Sequence, residues 1–139
     1  MKEKQKIKPK ESNQSQDGND KRNKIYDLEE RTFIYTIKVN SYIEELPKTI
    51  SNTENSKQLV RSSGSVGANY LEANESLSKK DFQMKIKICK KESKESRYWL
   101  RLSKPRDIHT NIKKELIQES TELMKIFASI LKNSNKKRT

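Results

Sequence analysis

The chain has one cysteine, one histidine, three glycines and three prolines in 139 residues. A single cysteine, Cys89, rules out an intramolecular disulfide and suits a reducing compartment. One histidine with one cysteine twenty residues before it cannot make a standard zinc site, so His109 reads as a surface or capping residue. So few glycines and prolines leave few turns, which favours a small number of long helices over many strands. No stretch approaches the roughly 20 apolar residues that a membrane span needs. The start of the chain shows no apolar leader core, so we expect no secretory signal, no membrane and a cytoplasmic location.

Hydrophobic residues make up 30% and charged residues 36% of the chain, close to the balance of a disordered polypeptide. The apolar residues are concentrated between Leu28 and Leu131, however, and there they keep helical period. Residues 1–24 are polar and basic, with Ile7 their one aliphatic after Met1. They bury too little to offset the entropy of ordering them. The expected organisation is a disordered basic tail over 1–24, a helical domain over 25–132 and a basic tail over 133–139.

Four helices are expected. The first starts at Asp27 as N-cap, carries Phe33, Ile37 and Asn40 on one face with Ile34 and Ser41 beside them, and ends near Leu46 before Pro47. The second is capped by Asn52 or Thr53 and runs to about Glu75. Its centre is rich in serine, glycine and alanine, a poor helix former by propensity. Yet Leu59, Ser63, Val66, Tyr70 and Ala73 form one helical row, and Val60, Gly64, Gly67 and Leu71 a second. Two such rows predict a wide buried stripe that lets a neighbouring helix come close.

Ser78 caps the third helix, with Asp81 three residues later as a capping-box variant. Phe82, Ile86, Cys89, Ser93, Ser96 and Leu100 form its main row, with Trp99 expected in the core. Pro105 stops it. Asp107 caps the fourth, which carries Ile108, Ile112, Leu116, Leu123, Ile126, Phe127, Ile130 and Leu131. Helices of roughly 18–26 residues span roughly 27–39 Å. Short links between them imply an all-α, antiparallel up-down-up-down four-helix bundle.

Catalytic signatures are absent from this pattern. Glu72/Glu75 and Glu92/Glu95 are spaced as paired carboxylates, but a bundle dimetal site also needs Glu-x-x-His, which does not occur. Gly64-x-x-Gly67 follows no strand and precedes no Gly-Lys-Ser/Thr, so it is no phosphate loop. The expectation is a non-enzymatic protein without metal or cofactor. Arg61, Ser65, Asn69 and Glu72 form a polar row that Glu92, Glu95 and Tyr98 could meet from the third helix. We read it as a structural polar network that fixes register or a subunit contact.

The net charge is +12, and it is uneven: residues 79–106 hold eleven basic and three acidic side chains, net +8. Lys87, Lys90, Lys91, Lys94, Arg97, Arg101 and Lys104 line the third helix. Such a row can track phosphates, and it predicts salt-dependent nucleic-acid binding. No exposed aromatic is expected beside it, so backbone or shape recognition is expected over base reading.

Three segments resemble the 23S rRNA intervening-sequence proteins: Arg61–Ala73, Ser78–Phe82 and Lys91–Leu100. Glu122–Phe127 suits that family's last helix. The resemblance covers about residues 25–132 and implies a small antiparallel bundle that assembles as a homopentamer. The chain is also similar to the accessory variability determinants of diversity-generating retroelements, basic pentamers that bind nucleic acid and a reverse transcriptase. This implies a homo-oligomer with nucleic acid as partner, or alternatively a protein-interaction adaptor. The resemblance supplies no catalytic residue.

Overall fold

A computed structural model describes residues 20–136, with side chains from Leu28 to Asn135. Helix α1 spans Asp20–Glu44, α2 Ile50–Asn74, α3 Lys79–Leu102 and α4 Thr110–Lys136, and a single 3₁₀ turn, Asp107–His109, precedes α4. Among the described residues there is no strand, so the four-helix, all-α expectation holds. The disorder expected for the N-terminal tail falls on residues 1–19, outside the described residues. Residues 20–24, assigned to that tail, belong to α1, and α4 runs past position 132.

The face of α1 is the main correction. Its buried residues are Leu28, Thr32, Tyr35, Val39 and Tyr42, with Leu46 just beyond the helix. Phe33, Ile34 and Ile37 face outward, at 61%, 41% and 48% exposure, and Asn40 and Ser41 are exposed as well. Both rows have helical period, so spacing alone could not choose between them. Hydrogen bonding favours the tyrosine row. The Tyr35 hydroxyl meets Ser120 Oγ at 2.6 Å and the Tyr42 hydroxyl meets Ser103 Oγ at 2.6 Å. Both phenols are therefore satisfied in the core, as buried hydroxyls must be.

Helix α2 starts earlier than expected. Thr49 is the N-cap, its Oγ1 accepting from the Asn52 N–H at 3.1 Å. Asn52 lies inside the helix and is buried. Its side-chain amide donates to the carbonyls of Pro47 and Lys104, and its Oδ1 accepts from the Lys104 N–H. One asparagine thus ties the α1–α2 link to the end of α3.

Of the two rows on α2, one is buried: Leu59, Ser63, Val66, Tyr70 and Ala73. The other faces outward at Val60 and Leu71. Its glycines differ. A Cβ at Gly67 would sit 3.0 Å from Thr32 Oγ1, whereas one at Gly64 would meet nothing within 4 Å. The close approach predicted for the small-residue run is real at Gly67, where α1 packs.

Helix α3 follows its expected pattern. Ser78 Oγ accepts from the Asp81 N–H at 3.0 Å, and Ile86, Cys89, Ser93, Ser96 and Leu100 are buried. Asp107, expected to cap α4, instead lies within the 3₁₀ turn, whose own cap position, Arg106, makes no side-chain cap bond. Ile108 and Ile112, expected in the core, are 72% and 40% exposed. Ile108 lies in the 3₁₀ turn before α4, and the buried row of α4 starts only at Leu116 and continues through Leu123 and Phe127.

Contacts run α1 to α2, α2 to α3 and α3 to α4, with fewer between α1 and α4. Along α1 and α2, Gly67 faces Thr32 and Ser63 faces Thr36. Along α2 and α3, Ser62 meets Ser96, Val66 meets Cys89 and Glu72 meets Lys85. Along α3 and α4, Gln83 meets Ser134 and Arg97 meets Thr121. In each pair the numbers rise on one helix as they fall on the other.

One residue from each helix meets in the middle. Tyr35 bonds Ser120 and also reaches Ser96, and Ser96 Oγ donates to Ser62 Oγ at 2.9 Å. Burial raises the Tyr35 pKa above its ordinary value, so the phenol stays neutral and available as a donor.

Candidate nucleic-acid interface

Helix α3 buries one face between α2 and α4 and turns the other to solvent. Lys87, Lys90, Lys91, Lys94 and Arg101 are exposed on it. Lys104 is exposed just past the helix, its backbone held by Asn52. Arg97 differs: it is half-buried and donates to Thr121 Oγ1 on α4 at 3.0 Å, so it serves helix packing first. Lys91 approaches Glu92 only at 3.9 Å. Lys87, Lys90, Lys94 and Arg101 form no ion pair among the described residues.

This contrasts with the α1–α4 side. There Arg31 is gripped by Glu119, through Nε at 2.6 Å and Nη2 at 2.8 Å, and by Glu122 at 2.7 Å. These bonds raise the Arg31 pKa and, with the Gln118 amide, lower that of Glu122. Arg31 on that side is thus matched by two carboxylates, whereas Lys87, Lys90, Lys94 and Arg101 on α3 have no such partner among the described residues.

An exposed aromatic does stand among the cations, contrary to the sequence expectation. Tyr98 is 53% exposed. Its ring meets Trp99 edge to face, centroids 4.9 Å apart at 79°. Trp99 is half-buried against the core, and its Nε1–H donates to Glu95 Oε2 at 3.2 Å. Adjacent helical residues point about 100° apart, so a core-facing Trp99 sends Tyr98 outward. The signal was the apolar row through Leu100, which fixes the angle of every residue on α3.

The polar row of α2 stays largely within its own helix. Ser65 Oγ donates to the Arg61 carbonyl at 2.9 Å, and Asn69 Nδ2 donates to the Ser65 carbonyl at 2.8 Å, while Arg61 itself is exposed. Glu72 accepts from Lys85 of α3 at 2.8 Å. Glu92 is half-buried, its pKa raised by burial and then by the Glu95 charge. No hydrogen bond joins Ser65 or Asn69 to Glu92 or Glu95 among the described residues. The side-chain contacts that cross between helices at the centre come from Tyr35, Ser62, Ser96 and Ser120, with Thr36 and Cys89 donating to the α2 carbonyls of Ser63 and Val66.

Cys89 is fully buried, its thiol donating to the Val66 carbonyl at 3.4 Å. Burial pushes its pKa up to about 12, so it remains a thiol. Among the described residues no three His, Cys, Asp or Glu side chains gather as a metal site. No helix there is long and apolar enough to cross a membrane. Between α1 and α4 runs a groove of about 900 Å³, lined by Ile34, Ile37, Tyr42, His109, Ile112 and Leu116 and edged by Glu30, Glu45 and Glu115.

The fold and this face define a four-helix protein with one strongly cationic helix surface. The chain belongs to the 23S rRNA-intervening sequence protein family, whose model matches residues 22–129. It is similar to the crystal structure of a protein of unknown function from the S23 ribosomal protein family of Bacteroides thetaiotaomicron. That likeness has 27% identity and a TM-score of 0.63, covering 76% of this chain and 98% of the other. No curated protein matches the chain.

Proposed function

We propose that this protein is a non-enzymatic, self-associating antiparallel up-down-up-down bundle that binds nucleic acid through the outer face of α3. The observation that carries the reading is the single-signed row Lys87, Lys90, Lys94 and Arg101, which forms no ion pair among the described residues, with Lys91 beside it. Such a row on about 20 Å of helix matches a run of phosphates. Family membership and the net +8 over residues 79–106 support it. Self-association, as a homopentamer by family resemblance, is supported by the outward row Phe33, Ile34 and Ile37 and by the apolar α1–α4 groove beside it. A lone bundle would leave this patch in water. The opposed residue numbering of each helix pair supports the antiparallel arrangement.

The test is binding of a structured RNA hairpin across a salt series. Replacing Lys87, Lys91 and Lys94 by alanine should flatten the slope of log affinity against log salt by about 2–3. Replacing the exposed Lys114 and Lys125 of α4 should leave it nearly unchanged. A wild-type protein that binds no RNA at low salt, or binds independently of salt, refutes the nucleic-acid reading. A monomer mass by light scattering at micromolar concentration refutes self-association.

A further inference from the structure

Tyr98 stands among the cations with its ring free on the solvent side. It follows Lys94 by four residues and Lys91 by seven, and precedes Arg101 by three. That spacing places all four on one side of the helix. At about 1.5 Å per residue, Lys94 and Arg101 lie roughly 6 Å and 5 Å to either side of the ring along the axis, and Lys91 roughly 10 Å away. The hydroxyl of Tyr98 makes no hydrogen bond among the described residues, and its ring contact is with the edge-on Trp99. Trp99 in turn is held by Glu95. The ring is thus backed by a fixed neighbour and open outward.

An aromatic face flanked by cations on both sides along an axis suits an unpaired base with a phosphate before and after it. A duplex offers no such base, because its bases are stacked on one another inside the helix. We infer that Tyr98 is a stacking platform for an unpaired base, with Lys91, Lys94 and Arg101 holding the flanking phosphates. The ligand of α3 is then a single-stranded or looped nucleic acid. This inference rests on the reading that α3 binds nucleic acid, and it adds the strandedness of the ligand.

The experiment uses the full chain, with wild type, Tyr98→Ala and Tyr98→Phe compared at one salt concentration. The probes are oligouridylate and oligothymidylate of about 20 nucleotides and an RNA duplex of about 20 base pairs. Loss of one stacked base should weaken single-strand binding about tenfold in Tyr98→Ala. Tyr98→Phe, which keeps the ring, should stay within about twofold of wild type. Duplex binding and the salt slope should not change, because no charge is removed. The ratio of the two single strands shows whether RNA or DNA is the better fit.

If Tyr98→Ala binds single strands as well as wild type does, or loses duplex binding equally, the stacking role is overturned while cationic binding stands. A changed mass by light scattering would make Tyr98 a subunit contact and overturn it too. A wild type that binds none of the three probes at low salt removes the cationic reading, and the stacking role falls with it.

Discussion

Gly64 and Gly67 sit one helical turn apart in α2 and should respond to alanine with opposite sign. In a helix interior alanine is favoured over glycine by about 1 kcal/mol. At Gly64 the added methyl meets nothing within 4 Å. Gly64→Ala should therefore keep most of that gain, about 0.5–1 kcal/mol. At Gly67 the methyl would lie 3.0 Å from Thr32 Oγ1 and 3.3 Å from Thr32 Cβ. Thr32 cannot easily yield. It is 1% exposed and β-branched, and its hydroxyl donates to the Glu29 carbonyl at 2.9 Å. Overpacking of this kind costs about 1–3 kcal/mol, and the propensity gain offsets about 1 kcal/mol of it. Gly67→Ala should come out less stable than wild type by up to about 2 kcal/mol, and less stable than Gly64→Ala by about 1–3 kcal/mol. Urea unfolding followed by far-UV circular dichroism reads this as a shift in midpoint at unchanged slope. Repeating it at about tenfold higher protein concentration separates the helix term at Gly64 from any change in self-association. Equal midpoints for the two variants would refute the claim that α1 and α2 touch tightly at Gly67. A Gly64→Ala variant that loses stability at both concentrations would refute the claim that the outward row of α2 is uncrowded.

Two further outcomes follow from the buried polar groups. The Ser120 hydroxyl proton is committed to the Leu116 carbonyl at 2.9 Å, so the Tyr35 phenol donates to Ser120. Tyr35→Phe should cost about 1 kcal/mol, and Ser120→Ala about 1–2 kcal/mol because the phenol keeps only Ser96. In urea unfolding the double variant should be milder than the two losses added, by about 0.5–1 kcal/mol, and strict additivity would show that the two hydroxyls act independently. Glu92 gives a pH effect. Burial, and then Glu95, raise its pKa, so the native state holds this proton at pH values where the unfolded chain has released it. Stability therefore falls as pH rises from the ordinary carboxylate range through the raised value. Glu92→Gln should flatten that decline and be more stable at neutral pH, and a pH–stability profile identical to wild type would count against the burial of this carboxylate.

The sequence was most informative where packing and hydrogen bonding agree. On α3 one row carries all the large apolar residues that can be buried together, and Phe82 to Leu100 lies where its period places it. On α1 two rows compete. Phe33 and Ile37 are the more hydrophobic set, but Tyr35 and Tyr42 have serine partners on other helices, 85 and 61 positions away in sequence. No local pattern reveals such partners. The same limit applies to Asn52, which looks like a cap and is instead a tie between two links. It applies to Ser62, Ser96 and Ser120 as well: each is an ordinary serine in its own helix, and the cluster exists only once four helices meet. On α2 the small-residue run was legible as a place of close approach, but which of its two glycines is approached depends on where Thr32 lands.

The cationic face of α3 is not explained by folding. Lys87 and Lys91, Lys90 and Lys94, and Arg97 and Arg101 are like charges four residues apart, and each such pair costs an isolated helix about 0.2–0.5 kcal/mol. Other cations have carboxylate partners: Arg31 sits between Glu119 and Glu122, and Lys85 meets Glu72. Interspersed charge on α3 would give equal solubility without the repulsion. The buried row would be undisturbed, because it occupies the opposite side of the helix and includes none of these lysines. Repulsion of this kind is relieved when an anion lies along the row. The strain is therefore itself a coupling: a polyanion that binds the native helix, and not the unfolded chain to the same degree, should raise the stability of the fold.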